Sequence, residues 1–116
     1  MSNCFATHHM NLHPAPFESI RSGRKTIEMR LFDNRRKNIH VGDTIIFTQK
    51  DSGETLSAKI INLFVYRDFH ELYARHDKIS IGYNENDVAS PDDMLIYYTE
   101  EEIKTYGALA IEILKI

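Results

Sequence analysis

Apolar residues recur along this chain with two different periods, and the switches between them sketch its elements. From Phe5 to Leu12 no Gly or Pro interrupts a stretch that ends at a Pro-punctuated turn, which predicts an opening strand. Pro14 and Pro16 suit a helix starting near Pro16, with Phe17 and Ile20 on one face and Gly23 at its end. From Lys25 to Leu31 the period drops to two. Ile27, Met29 and Leu31 alternate with Thr26, Glu28 and Arg30, so a strand is expected with the first set in the core and the second on a polar, non-core face. Val41-Gly42-Asp43 turns the chain into a β-rich run from Thr44 to Thr48, and Lys50-Asp51-Ser52-Gly53 reads as a hairpin tip. Thr55 to Tyr66 is long for one strand and neither of its alternating sets is purely apolar, which predicts a bulge or bend within it. Asp68 is placed to cap a helix carrying Phe69, Leu72 and Tyr73, and Ser90-Pro91 starts another. Thr99-Glu100-Glu101-Glu102 matches a capping box, with Gly107 ending that helix. Ala108 to Ile116 then alternates Leu109, Ile111 and Ile113 against Ala108, Ala110 and Glu112, a closing strand.

About five strands with short helices in their connections predict an α+β fold, and a small mixed barrel hides sheet edges well at this size. With 116 residues, 42% of them apolar, one domain spanning 1–116 is expected, large enough to hold a core without disulfide or metal. The longest strictly apolar runs, such as Leu63 to Tyr66, fall far short of the roughly 20 residues that cross a bilayer, so no membrane partner is expected. The first five residues lack a secretory pattern and the single cysteine, Cys4, cannot form an intrachain bridge, which together point to the cytoplasm. Gly23, Gly42, Gly53, Gly82 and Gly107 are the only glycines, so neither the dinucleotide fingerprint nor a phosphate loop can be written, and no cofactor is expected. G-x-S-x-G, C-x-x-C and H-E-x-x-H are also missing. His8, His9 and His13 sit close together, but on a strand they do not share a metal-binding face, and no metal is expected.

Net charge is only −3, which conceals an asymmetry. Between Arg21 and His40 seven basic residues face two acidic ones, whereas between Asn84 and Thr105 seven acidic residues face only Lys104. A cationic island of this kind can focus an anionic ligand onto one place; equally, the two segments can lie side by side and neutralise. The acidic 84–105 stretch is also a docking face for a protein partner in a third reading. Organisation and charge coincide at Ser22-Gly23-Arg24-Lys25-Thr26-Ile27-Glu28-Met29-Arg30. A strand is a rigid mount, and Lys25, Thr26, Glu28 and Arg30 held on it can bind an anionic or hydrogen-bonding ligand. Gly23 and Gly42-Asp43 allow close backbone approach, and Arg35 and Arg36 lie nearby in sequence. The plain alternative is an external Glu28–Arg30 pair.

The runs His8-x-Met10-x-Leu12, Pro16-Phe17, Ile20-x-Ser22-Gly23-x-Lys25-Thr26-Ile27-Glu28-x-Arg30-Leu31, Val41-Gly42-Asp43-x-Ile45-x-Phe47 and Tyr106-Gly107-x-Leu109-x-Ile111 together resemble the ASCH domain. That resemblance implies a PUA-like β-barrel and a cleft around the matching Lys25, Glu28 and Arg30, with RNA or a nucleotide-like molecule as ligand. A branch of small bacterial ASCH proteins is similar to amidohydrolases that deacetylate 4-N-acetylcytidine with a Lys, a Thr three residues later and a downstream Glu. The Lys matches Lys25, but Glu28 occupies the Thr position.

The leading expectation is therefore an RNA- or nucleotide-binding module with Gly23, Lys25, Thr26, Glu28, Arg30, Arg35, Arg36 and Asp43 at its site and Tyr83, Tyr97 and Tyr98 as stacking partners. The enzyme alternative, an amidohydrolase acting on acetylated cytidine-type nucleosides, would use Lys25 and Glu28, with Arg24 and Arg30 favouring a neutral Lys25 amine and Glu28 opposing it.

Overall fold

The computed structural model describes residues 4–116; the expectation drawn from the N-terminus rests partly on residues 1–3, which lie outside the described residues. Strand β1 (Thr7–Leu12) gives way to α1 (Pro14–Arg21), where Pro14 and Pro16 occupy a first turn that needs no backbone donor. The helix starts two residues earlier than its spacing predicts, and buries Phe17 and Ile20. Strand β2 (Ile27–Leu31), a 3-10 turn (Arg36–Asn38), β3 (Thr44–Gln49) and the long β4 (Thr55–Tyr66) follow. Helix α2 (Phe69–Arg75), a 3-10 helix (Pro91–Ile96) and α3 (Glu100–Tyr106) then lead into β5 (Ala108–Lys115).

The predicted caps form. Asp68 accepts from the Glu71 amide at 2.9 Å. In the capping box of α3, Thr99 Oγ1 accepts from the Glu102 amide at 3.1 Å while Glu102 Oε1 accepts from the Thr99 amide at 2.9 Å. The register of β4 against β5 shifts between Ile60 and Asn62, the predicted irregularity, and a shift there bends the long strand.

All five strands belong to one sheet in the order β1-β3-β4-β5-β2, with β1 and β3 parallel and every other pair antiparallel. Its concave face holds Met10, Leu12, Ile45, Phe47, Ile60, Leu109, Ile111 and Ile113, plugged by Phe17 and Ile20 of α1. The opposite face of β2 and β5 is covered as well: Ile27, Leu31, Ala108 and Ala110 pack against Phe69 and Leu72 of α2, Ile81 and Met94. The small side chains of Ala108 and Ala110, both fully buried, let that outer layer sit close.

This two-sided burial corrects one expectation. Glu28 lies opposite Ile111 and Arg30 opposite Leu109, and directly paired residues share a face, so Glu28 and Arg30 project into the concave interior. The face expected to be polar and non-core is the inner one. Alternation in β2 is real, but both of its faces are covered, so polarity does not report which is outside. Among the described residues no helix is long and apolar enough to cross a membrane.

Gly107 joins α3 to β5 with φ of 81°, and a Cβ there would stand 2.7 Å from the Tyr66 carbonyl oxygen. Gly107→Ala is expected to lower stability by about 3 kcal/mol, from left-handed strain together with a backbone clash, read from the urea-unfolding midpoint. A loss under about 1 kcal/mol would mean that the β4–β5 junction is looser than this geometry.

Candidate functional site

A cleft of about 860 Å³ opens between the two sheet edges, with His9 to Leu12 of β1 and the adjoining His13 on one side and Glu28, Met29 and Arg30 of β2 on the other. Among the described residues no backbone ladder joins β1 to β2; a hydrogen bond from Arg30 Nη2 to the Asn11 carbonyl at 3.1 Å crosses between them. The half-barrel is therefore stapled across its seam by a side chain, and the cleft occupies the seam.

Glu28 anchors the cleft floor. Its Oε1 lies 2.9 Å from Lys25 Nζ and its Oε2 accepts from Arg30 Nε at 2.8 Å. The carboxylate is 4% exposed and Lys25 8%, so this is a buried triad rather than an external pair. Burial alone would raise the Glu28 carboxyl, but the charges and hydrogen bonds of Lys25 and Arg30 outweigh it and hold the group below the usual glutamate range. Two cations share one anion, leaving one positive charge in excess at the floor.

The position of Lys25 follows from its neighbours. Its amide donates to the Ser19 carbonyl at 3.0 Å, and the next two amides, of Thr26 and Ile27, both donate to Ser80 at 3.0 Å. Those bonds bring Gly82 against the Lys25 stem, where an added Cβ would stand 3.1 Å from Lys25 Cδ at a φ of 116°. Gly82 was not among the expected site residues. A single glycine marks at most a turn in sequence, and only the fold shows what approaches it.

Of the other expected site residues, Arg35 and Arg36 also line the cleft. Arg35 is exposed, whereas Arg36 is half-buried and paired with Asp33 at 2.9 Å. Arg24, on the same wall, donates to Asn84 Oδ1 at 2.8 Å. Gly23 and Thr26 stand outside the lining, with the Thr26 carbonyl accepting from Ile113 at 2.9 Å. Asp43 also lies elsewhere, buried at the entry to β3, where its carboxylate accepts from the Ala6 amide at 3.0 Å, the His40 amide at 3.0 Å and His8 Nε2 at 2.8 Å. Burial pushes this carboxyl up, and those donors more than reverse the effect. Asp43 thus organises the β1–β3 junction. Among the described residues no group of three or more His, Cys, Asp or Glu side chains could hold a metal ion.

The three tyrosines separate. Tyr97 is 54% exposed on the cleft rim, its ring 6.4 Å from that of His13. Tyr98 stacks on buried Phe69 with ring centroids 6.1 Å apart and belongs to the outer core, although it reaches the cleft. Tyr83 is tied through its hydroxyl to Tyr73 at 2.8 Å and to Asp93 at 2.7 Å, and all three line the cleft. Among the described residues no ion pair joins the acidic 84–105 stretch to the basic 21–40 stretch; Lys25, Arg30 and Arg36 pair with Glu28 and Asp33 of their own segment.

Replacing Glu28 by Gln removes the shared anion and leaves two buried cations facing each other. The expected loss is about 3 kcal/mol in urea unfolding near neutral pH. Because the folded-state pKa is depressed, the ionised carboxylate stabilises the fold above the ordinary glutamate range, and this contribution disappears as pH falls through the lowered value. Stability should accordingly fall less on acidification in Glu28→Gln than in the wild type; parallel profiles would contradict the triad.

The ASCH domain model matches residues 10–116. The structure is similar to that of hypothetical protein PH0355, with 33% identity and a TM-score of 0.80 over 95% of this chain and 99% of that one. It is similar also to protein PF0455 from Pyrococcus furiosus, with 30% identity and a TM-score of 0.72 over 95% of this chain and 97% of that one. The ASCH protein of Zymomonas mobilis shares the fold at 18% identity and a TM-score of 0.67, the match covering 93% of this chain and 66% of that protein. No curated protein matches the sequence. The match over residues 10–116, with a five-stranded curled half-barrel carrying short helices, shows that this chain belongs to the ASCH domain family, with its small α+β, PUA-like architecture.

Proposed function

We propose that the cleft binds RNA or a nucleotide-like ligand. One observation carries the reading: a buried floor with one positive charge in excess, opening into about 860 Å³ rimmed by the cations Arg24, Arg35 and Lys50. A desolvated cation pair attracts phosphate or carbonyl oxygen more strongly than the same charges in water. The volume exceeds what a simple inorganic anion needs, and the exposed Tyr97 ring at the rim offers a face on which a base can stack. Arg35, exposed and without an ion pair among the described residues, is available to a phosphate.

Amide hydrolysis is less well supported by this geometry. Lys25 Nζ donates to Glu28, and both Glu28 oxygens already accept, one from Lys25 and one from Arg30. Neither group is then poised to take a proton from water, as a general base must.

Affinity for a short single-stranded RNA should fall as salt rises, because bound phosphates release counterions. Arg35→Ala, at an exposed position, should weaken binding and reduce the slope of log K against log salt by about one. Affinity that ignores salt, or acetate release from an acetylated cytidine that vanishes in Lys25→Ala, would overturn the binding reading in favour of a neutral ligand or of catalysis.

A further inference from the structure

The Tyr73–Tyr83–Asp93 chain has a direction. A phenol carries one proton, and the Tyr83 hydroxyl is 2.8 Å from Tyr73, 2.7 Å from Asp93 Oδ2 and 3.2 Å from the Ser90 carbonyl. The carboxylate and the carbonyl only accept, and the charged acceptor at the shortest distance takes the Tyr83 proton. Tyr73 must then donate to Tyr83, which leaves the Tyr73 oxygen with lone pairs and no proton to offer. Asp93 Oδ1, for its part, accepts from no donor among the described residues. Burial raises the Tyr83 hydroxyl far above the ordinary phenol, and its bonds to Tyr73 and Asp93 push it further the same way, so it stays protonated and the direction holds.

The cleft therefore carries both kinds of group. Lys25, Arg30 and Arg35 present donors, while Tyr73 and Asp93, lining the same cavity, present acceptors. Building on the nucleotide reading above, we infer that Tyr73, Tyr83 and Asp93 form a base-reading wall. The cleft then prefers nucleotides whose base carries an exocyclic amino group, cytosine or adenine, to those with a carbonyl at that position, uracil or hypoxanthine. An amino group donates to Asp93 and Tyr73, whereas a carbonyl oxygen sets lone pair against lone pair. Phosphate or ribose oxygens meet the cationic side, which does not distinguish bases. Tyr83 is the positioning residue: without its hydroxyl, Asp93 Oδ2 loses its donor and the side chain is free to turn away.

Equilibrium binding of CMP, UMP, AMP and IMP to the full chain at one fixed ionic strength tests this. CMP is expected to bind about tenfold tighter than UMP, and AMP about tenfold tighter than IMP. In Asp93→Ala, at an exposed surface position, both ratios should collapse to within about twofold. Tyr83→Phe keeps the ring but cuts the chain, and should shrink the ratios in the same direction. Equal binding of amino and carbonyl partners by the wild type, or ratios that persist in Asp93→Ala, would overturn the base-reading wall while leaving the anion site intact. Failure of all four nucleotides to bind a protein shown by circular dichroism to be folded would overturn the wall and the nucleotide reading together.

Discussion

A carboxylate deprived of water must find its donors within the protein or give up its charge, and Glu28 finds two. Lys25 arrives from the turn after α1 and Arg30 from two residues further along β2, so three side chains from six consecutive positions satisfy one another inside the curled sheet. Much of the surrounding structure serves this arrangement. Ser80 pins the entrance of β2, Gly82 makes room for the Lys25 stem, and Arg30 carries the connection across to β1. The same bonds that stabilise the interior therefore shape the floor of the cleft.

A five-stranded sheet this strongly curled has an edge problem, since β1 and β2 end with unpaired backbone groups. In a closed barrel a ladder would join them. Here the two edges stand apart, and the space between them is the cleft. The opening follows from that separation, and the charge comes from the side chains the two edges bring to it, with the Arg30 guanidinium reaching over to the Asn11 carbonyl.

Periodicity and capping chemistry made most of the fold legible. Asp68, Thr99 and Glu102 cap where their types and spacing indicate, and the mixed apolar pattern of Thr55 to Tyr66 does mark a register shift. These signals are local, and local physics decides them. What could not be read was which side of β2 faces outward, because that depends on α2 and the 3-10 helix covering the sheet from more than thirty residues away. For the site, the charges of Lys25, Glu28 and Arg30 were visible in sequence: the i, i+2 spacing of Glu28 and Arg30 puts both on one face of β2, while Lys25 reaches Glu28 from the turn before the strand. Asp43 lies away from the cleft and ties the β1–β3 junction, and in sequence a carboxylate that builds a turn looks like one that waits for a ligand. The Tyr73–Tyr83–Asp93 connection had no signal for the converse reason: a helix-face aromatic and one acid among seven carry no sign that a third residue connects them.

The joint between β1 and β2 has mechanical character that a ladder would not. A row of peptide hydrogen bonds resists separation cooperatively, each holding its neighbours in register. The Arg30 staple, with its single bond to Asn11, lets go through rotation about side-chain torsions alone, while Glu28 retains its grip on the guanidinium. The edge between β1 and β2 is thus held by a contact that can be released without breaking a single peptide-to-peptide hydrogen bond, and its strength rests on one guanidinium and on the packing of α1 beneath it.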